Sequence, residues 1–429
     1  MDSSSHVASP IPDHLPRRLT ITLWDFTWYT QAGPGEAFED LDAAMADAVL
    51  RGYNTIRICA MPYFLFGSHE LDHGRLRIEQ MAPEVGHGTR WYNVRGGVVI
   101  DGRERLRELF ETARRHGVFV IVSSWEYQQS PAFSADDAWY RSLESIPPEQ
   151  RFLELARSLE RLVGFLRDAD GLDAQIAYLE IHNEVDLSRL RAVPGGEADA
   201  YRPQRAYNEE AVAWLRQQCP DYLVTTCYGI TPYLDMDAAA GNVDIAHFHV
   251  YVYGTLGALE RWAGVRTPPP EYPTLALRSL LRAEAPDFES APATAVPDWR
   301  YAATGISPSM FHSYDQSDAR LWDRWLYENH HRYDTAMKWA IDDKLAAISG
   351  FARARSIPAV IGEGWIGYTP LHSEYEDGPI GTGIAEHAIE RVIEHGFWGA
   401  VLGSNSAPHH PGWANLGWQQ RMNSRLLES

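Results

Sequence analysis

Lysine is nearly missing from this chain. Among 429 residues only Lys338 and Lys344 carry an amine side chain, and the remaining positive charge is arginine. Cysteine is scarce too: Cys59, Cys219 and Cys227 form an odd set without metal-type spacing, which argues against a disulfide framework or a zinc site. No segment is apolar over the length that spans a bilayer. The polar, proline-punctuated opening MDSSSHVASPIPDHLPRR lacks the apolar centre of a signal peptide, so a cytoplasmic protein is expected. A formal net charge of −20 repels phosphate backbones and anionic lipid, so neither nucleic acid nor membrane is an expected partner. There is also no glycine-rich phosphate loop after the first strand-like run, which continues into WDFTWYTQAGPG. That disfavours an open dinucleotide-binding sheet.

What is present is a large apolar and aromatic share. Hydrophobic residues make up 45% of the chain, enough for a sizeable core. Tryptophans gather outside the apparent strands and helices, at Trp24, Trp28, Trp91, Trp125, Trp365, Trp413 and Trp418. Core packing accounts for many such rings, but a flat ring beside polar groups also suits the apolar CH face of a sugar.

Short β-rich runs alternate with helical patterns, the mark of parallel βα units. Strands are predicted at 19–26, 54–59, 118–123, 176–181, 222–226, 243–248, 359–362 and 398–402. Between them lie apolar stripes at helical spacing: Phe38, Leu41, Met45 and Val49; Leu106, Leu109, Phe110 and Ala113; Phe152, Leu155, Leu159, Leu162 and Leu166. Further helices are expected over 206–217 and 384–393, and the amphipathic segment 413–427 reads as the last helix, closing against strand one. Eight such units in series predict an α/β fold, a (β/α)8 TIM barrel in one catalytic unit over 1–429. One stretch breaks the rhythm. Residues 254–358 separate strands six and seven, with a proline- and alanine-rich, irregular first part (254–317) and one long helix or two over 318–353. In a barrel that insertion leaves the end of strand six beside the active-site face, as a pocket wall or as a disordered surface loop.

The C-terminal strand ends of such a barrel carry its chemistry. Here they offer Asp25, Arg57, Trp125 with Glu126, Asn183 with Glu184, His249 with Tyr251, Glu363 with Trp365, and Ser404 with Asn405. Each alone has a duller explanation, as a helix cap or a hydrogen-bonded core group. The conjunction says more. Two carboxylates ending strands four and seven face each other across the mouth. Breaking a glycosidic bond through an oxocarbenium-like state needs a proton for the leaving oxygen and electron density at the anomeric carbon, which paired carboxyls supply.

The run YLEIHNEVD resembles the strand-four signature of clan A glycoside hydrolases and is similar to cellulase-like members of glycoside hydrolase family 5. That resemblance implies Glu184 as acid/base and Asn183 on the substrate 2-hydroxyl. AVIGEGWIGY resembles the strand-seven segment, implying Glu363 as nucleophile. NTIRICAMP implies Arg57 as its support, and HFHVYVYG implies Tyr251 hydrogen-bonded to it with His249 lining the site. Two segments depart from the family pattern. Strand three ends SSWEYQQSP, so Trp125, Glu126 and Gln128 are expected to shape a subsite. Strand eight ends GSNSAPHH without the platform tryptophan, leaving Asn405 or Trp413 to stand in. The expectation is therefore a retaining glycoside hydrolase acting by double displacement on β-glycosidic bonds of small glycosides or oligosaccharides, exo-acting, with a carbohydrate substrate and no metal or cofactor. Two rivals are a non-catalytic carbohydrate-binding barrel and a metal-dependent hydrolase barrel using the two histidines of HFH with Asp25, Glu126 or Glu184.

Overall fold

The computed structural model describes residues 11–429, so most of the polar opening, residues 1–10, lies outside the described residues. Eight parallel strands form the centre: β1 (Leu19–Asp25), β2 (Thr55–Cys59), β3 (Phe119–Ser123), β4 (Ile176–Glu180), β5 (Val224–Thr225), β6 (Ala246–Tyr251), β7 (Ala359–Trp365) and β8 (Gly399–Val401). They pair in the order 5-4-3-2-1-8-7-6. Between β5 and β6 the pairing thins to one bridge, Tyr228 with Phe248, where the His249 amide donates to the Tyr228 carbonyl at 2.9 Å. That bridge closes the sheet into a (β/α)8 barrel. A short antiparallel hairpin, Leu76–Ile78 with Val98–Ile100, stands apart.

The barrel interior is layered because alternate residues of each strand point inward. At its N-terminal end Ile21, Ile121, Tyr178, Val360 and Val401 pack as an apolar plug. Leu15 and Trp398 join that cluster, and the Trp398 indole donates to the Pro16 carbonyl at 3.0 Å. One layer higher the inward residues turn polar: Arg57, Ser123, Glu180 and His247, all buried. A charge at that depth persists only when paired and hydrogen-bonded, so this layer forms a single network, described below.

Outside the barrel the apolar stripes do what their spacing predicts. On the helix Arg151–Asp168, Phe152, Leu155, Leu159, Leu162 and Leu166 are all buried. The helix Leu41–Leu50 begins at Asp40, whose carboxylate accepts from the amides of Asp42 and Ala43. Phe38 therefore precedes it. Val49 is exposed, because eight residues past Leu41 it has turned about 80° off the buried stripe. The final helix, Leu416–Leu427, packs on β1. The β5–β6 connection carries only a short turn, Met236–Ala238, in place of a barrel helix.

Two strands run three residues past their sequence-based C-terminal limits. β6 runs from Ala246 to Tyr251 rather than 243–248, and β7 extends through Trp365. Both extensions carry inward-facing polar residues, which a search for apolar runs passes over. The insertion is more regular than its composition implies. It holds helices Gly254–Ala263, Leu275–Arg278, Asp298–Thr304 and Pro308–Gln316, and the stretch beyond divides into Ala319–Asn329 and Asp334–Arg355. Leu277, Phe288, Met310 and Phe311 join the main core. Polar clamps hold the insertion to the loops after β2 and β3. Arg300 donates to the carbonyls of Met81 (3.0 Å) and Ser134 (3.1 Å), and the Asp315 carboxylate accepts from the amides of Gly86 and Gly88 at 2.8 and 2.6 Å.

Candidate active site

Two local irregularities aim the carboxylates. Just past β4, Glu184 sits at φ 43°, a left-handed conformation that costs a non-glycine residue about 1–3 kcal/mol and tends to persist where a site needs it. The amide of Asn183 is fixed on the Ser124 carbonyl at 2.8 Å. Gly229 lies against the acid: a Cβ there would stand 2.6 Å from the Glu184 carboxyl carbon. On the opposite wall the β6–β7 register slips by one residue between Phe248 and His249, which brings Glu363 opposite His249.

Arg57 ties the floor together. Its guanidinium donates to both oxygens of Glu180 (Nε at 3.0 Å, Nη2 at 2.7 Å), to Asn183 Oδ1 at 2.6 Å and to Glu363 Oε1 at 2.9 Å. The Trp125 ring lies against its flat face, 4.5 Å from ring centre to guanidinium carbon. Glu180 also accepts from Ser123 Oγ at 2.8 Å and lies 3.2 Å from His247 Nδ1. Burial alone would raise the Glu180 carboxyl, but Arg57 and His247 outweigh it and hold the group well below the usual carboxylate range. Glu180 is thus a permanent anion that balances Arg57, leaving the arginine's remaining N–H groups to orient Glu363 and Asn183.

Glu363 takes its second hydrogen bond from Tyr251, whose hydroxyl donates to Oε2 at 2.8 Å. Burial, then the charge of Glu363, pushes the Tyr251 hydroxyl well above its ordinary value, so it stays a donor. Ser404 Oγ lies 2.7 Å from the same hydroxyl and accepts from the Gly364 amide at 3.0 Å. Glu184 has uncharged neighbours. Gln128 Nε2 donates to its Oε2 at 2.6 Å, and His249 Nδ1 lies 2.8 Å from its Oε1. Gln128 in turn accepts from Asn183 Nδ2 at 2.7 Å. Burial pushes the His249 ring down to about 3, so it is neutral. A neutral ring can donate from Nδ1 to ionised Glu184 or accept the proton of its neutral form, and so can follow either state of the acid. Burial raises both glutamates; the nearest formal cation, Arg57, contacts Glu363 directly and reaches Glu184 only through Asn183 and Gln128. Direct contact with Arg57 favours charge on Glu363, which leaves Glu184 the better placed of the two to carry a proton.

The two carboxylates open into a cavity of about 910 Å³, within the usual size for a small-molecule site. Asp25 and Trp125 line it with them, as do Asn183 and Tyr251. Asp25 accepts from the Thr27 amide at 2.6 Å. Arg57 and His249 are fully buried behind that surface and act through Glu363 and Glu184 rather than on a bound molecule. Three residues expected to bind substrate lie elsewhere. Glu126 turns inward to accept from the amides of Tyr63 and Phe64 at 3.0 and 2.8 Å, anchoring the turn after β2. The Trp365 indole donates to the Leu402 carbonyl at 2.9 Å and does not line the cavity. Asn405 is held by Asp377 Oδ1 at 2.6 Å, also outside it. His247 and His249 share the inward face of β6 and differ in height: the first reaches Glu180 in the layer below and the second Glu184 at the mouth.

Several participants escaped the sequence reading. Glu180 is visible in hindsight, since it points inward two residues after Tyr178 and four before Glu184. Tyr368 closes the run AVIGEGWIGY without being singled out there, and Arg90 comes from an irregular loop that carries no local signal. Arg90 stacks on Trp91 at 4.5 Å and pairs with Glu376 at 2.6 Å, while Tyr368 meets Trp91 edge-on. Glu260, Arg266 and Ile306 bring the insertion into the cavity wall.

Among the described residues two groups could hold a cation by spacing, Cys227 with His247 and His249, and Glu184 with His249 and Glu363. In the first, His247 Nδ1 is turned to Glu180 at 3.2 Å and to the Tyr178 hydroxyl at 3.3 Å, which makes the ring part of the Glu180 network. In the second, His249 is already engaged on both nitrogens, by Glu184 and by Cys227 Sγ at 3.0 Å. Neither Asp25 nor Glu126 joins a group of this kind among the described residues.

Barrel and mouth together are those of a clan A glycoside hydrolase fold resembling family 5. A family profile described as cellulase-like and sugar-binding matches residues 21–255, more than half of the chain, and the protein belongs to that cellulase-like family. Among solved structures it is similar to a candidate glycoside hydrolase from Parabacteroides distasonis, with a TM-score of 0.67 and 17% identity over 96% of this chain and 94% of that one. It is also similar to the endo-β-1,4-mannanase from Thermotoga petrophila, with a TM-score of 0.51 and 12% identity over 96% and 77%. At those identities the likeness is one of fold. No curated protein sequence matches the chain.

Proposed function

We propose that this protein is a retaining glycoside hydrolase that cleaves β-glycosidic bonds of small glycosides or oligosaccharides, acting from the chain end. The carrying observation is the carboxylate pair in unequal surroundings: an oxygen of Glu184, an oxygen of Glu363 and a ring nitrogen of His249 all lie within 4.8 Å of one another. Retaining enzymes hold their carboxyls about 5–5.5 Å apart, whereas inverting enzymes leave room for a water at about 6.5–9.5 Å. The short separation supports attack by Glu363 itself.

In the first step the Glu363 carboxylate, ionised beside Arg57, attacks the anomeric carbon. Glu184 passes its proton to the departing oxygen, and His249 and Gln128 keep hold of the carboxylate that remains. In the second step Glu184 takes a proton from water, which displaces Glu363 with a second inversion and so net retention. Asn183, fixed by Arg57 and Gln128, presents a side-chain amide to the sugar beside the reacting carbon. End-on action is supported by the insertion residues Glu260, Arg266 and Ile306, which raise a wall around the cavity.

The test is hydrolysis of aryl β-glycosides by the wild type, Glu184→Gln and Glu363→Gln. Both variants should fold and lose turnover. Wild-type rates in either would sink the assignment and favour a binding barrel. Activity lost to a chelator and restored by zinc would favour the metal reading.

A further inference from the structure

The two sides of the cavity differ in chemistry. On the Glu363 side the wall is charged and aromatic, with Arg90 and Trp91 packed against the loop that follows β7 through Glu376 and Tyr368. On the Glu184 side the Gln128 amide is spent on Glu184 and Asn183, and the lip beyond it is aliphatic. Leu187 lies three residues past the acid on the same loop, Ile230 comes from the loop after β5, and Ile306 comes from the insertion; all three line the cavity.

These segments form one lip. A Cβ on Gly229 would meet the Glu184 carboxyl carbon at 2.6 Å and a Leu187 methyl at 2.7 Å. Asp186 holds the amides of Gly229 and Ile230 at 2.7 and 2.9 Å. Arg189 reaches across to the Ala303 carbonyl at 2.7 Å. Leu187 and Ile230 leave 45% and 51% of their surface open, and the same loop continues through Tyr233 and Leu234 at 42% and 86%. Single exposed aliphatics are commonplace, but a contiguous patch running into a cavity marks a binding surface.

The general acid protonates the departing oxygen, so the group attached to that oxygen must lie on the acid's side. A departing sugar calls for hydrogen-bonding groups and flat rings. Leucine and isoleucine supply neither. We infer that the lip is a leaving-group subsite for an apolar alcohol, and that the substrates are β-glycosides of hydrophobic aglycones rather than sugar–sugar linkages. This rests on the hydrolase reading above and narrows it. The chemistry balances as for any glycoside: the bond from anomeric carbon to alcohol oxygen breaks, that oxygen takes the Glu184 proton, Glu363 forms the new bond, and water later displaces it.

The test compares methyl and octyl β-glycosides of one sugar, chosen as whichever aryl β-glycoside the enzyme turns over. The two alcohols are close in acidity, so their intrinsic reactivity is matched. The octyl glycoside should exceed the methyl in kcat/KM by about tenfold or more, because methylenes of its chain leave water on the lip. In Leu187→Ser combined with Ile230→Ser that ratio should collapse toward one. Leu50→Ser, at the exposed end of the helix that precedes β2, should keep it. The ratio is read within each protein, so a general loss of active enzyme cancels. A ratio near one in the wild type, a preference that survives the double substitution, or faster cleavage of a disaccharide of the same sugar would each overturn the inference. Failure to turn over any aryl glycoside would remove the hydrolase reading itself, and the inference with it.

Discussion

Glu184 and Glu363 carry the same functional group, and their neighbours assign them different tasks. One faces amide and imidazole groups, the other a guanidinium and a phenol. Removing the proton donor by Glu184→Gln should cost about 10²–10⁴-fold on glycosides with poor leaving groups and much less on those with acidic phenols, which leave unaided. Stopped-flow kinetics on both classes reads the difference; equal losses on both would refute the acid role. The pH dependence follows from the same surroundings. Burial raises both carboxyls, so the acid limb of kcat/KM, set by ionisation of Glu363, and the alkaline limb, set by loss of the Glu184 proton, should both lie above the usual carboxylate range. Activity falling only below pH of about 4.5, the ordinary glutamate range, would contradict this. Gly229→Ala provides a test by geometry, since its methyl must displace the Glu184 carboxyl. It should lower kcat while leaving the melting temperature nearly unchanged.

At the scale of elements, the insertion after β6 belongs to the site because its clamps hold it there. Arg300→Ala leaves buried carbonyls at Met81 and Ser134 without donors, a loss of about 1–3 kcal/mol, and frees the segment that carries Ile306. The expected outcome is a raised KM with kcat less affected, in a protein that still melts cooperatively; an unchanged KM would show that the wall does not touch substrate. The elements also show what the sequence makes legible. The helices of the barrel and the apolar strands β1 and β3 were readable because one periodic stripe decides them, whereas the short helices of the insertion carry no such stripe. β6 was misplaced by three residues, because His247, His249 and Tyr251 are polar in a strand whose interior face is the active site. Arg57, Asn183, Glu184, Tyr251 and Glu363 were recoverable because each ends a strand whose neighbours are recognisable. Glu126, Trp365 and Asn405 also follow strand ends yet turn away from the cavity, because position at a strand end does not say which way a side chain turns. Arg90 and Ile306 could not be found at all, since only tertiary packing brings their loops to the mouth.

For the whole molecule, buried titratable groups set the dependence of stability on pH. Burial raises the carboxyls of Glu126 and Asp186 to about 7. Their folded-state values exceed the unfolded ones, so the folded chain keeps protons that the unfolded chain has released, and that contribution is lost as pH rises through 7. The buried rings of His182 and His249 are pushed down to about 3. Their penalty grows as pH falls toward and below the unfolded value of about 6.5, where the unfolded chain takes up protons. The two effects oppose each other, so the Glu126 contribution is read as a difference: the melting temperature of the wild type minus that of Glu126→Gln should fall as pH rises from about 4.5 to 7 and level off above that. A difference that stays flat or rises at constant ionic strength would show that Glu126 titrates alike in both states.

The claim that joins these scales is that Glu363 attacks the sugar directly, and the configuration of the first product reports on it. Proton NMR of a β-glycoside during the first minutes of hydrolysis, before mutarotation, should show the β-anomer of the released sugar appearing first. If the α-anomer came first, a water rather than Glu363 would be the nucleophile, and the double-displacement mechanism would be wrong.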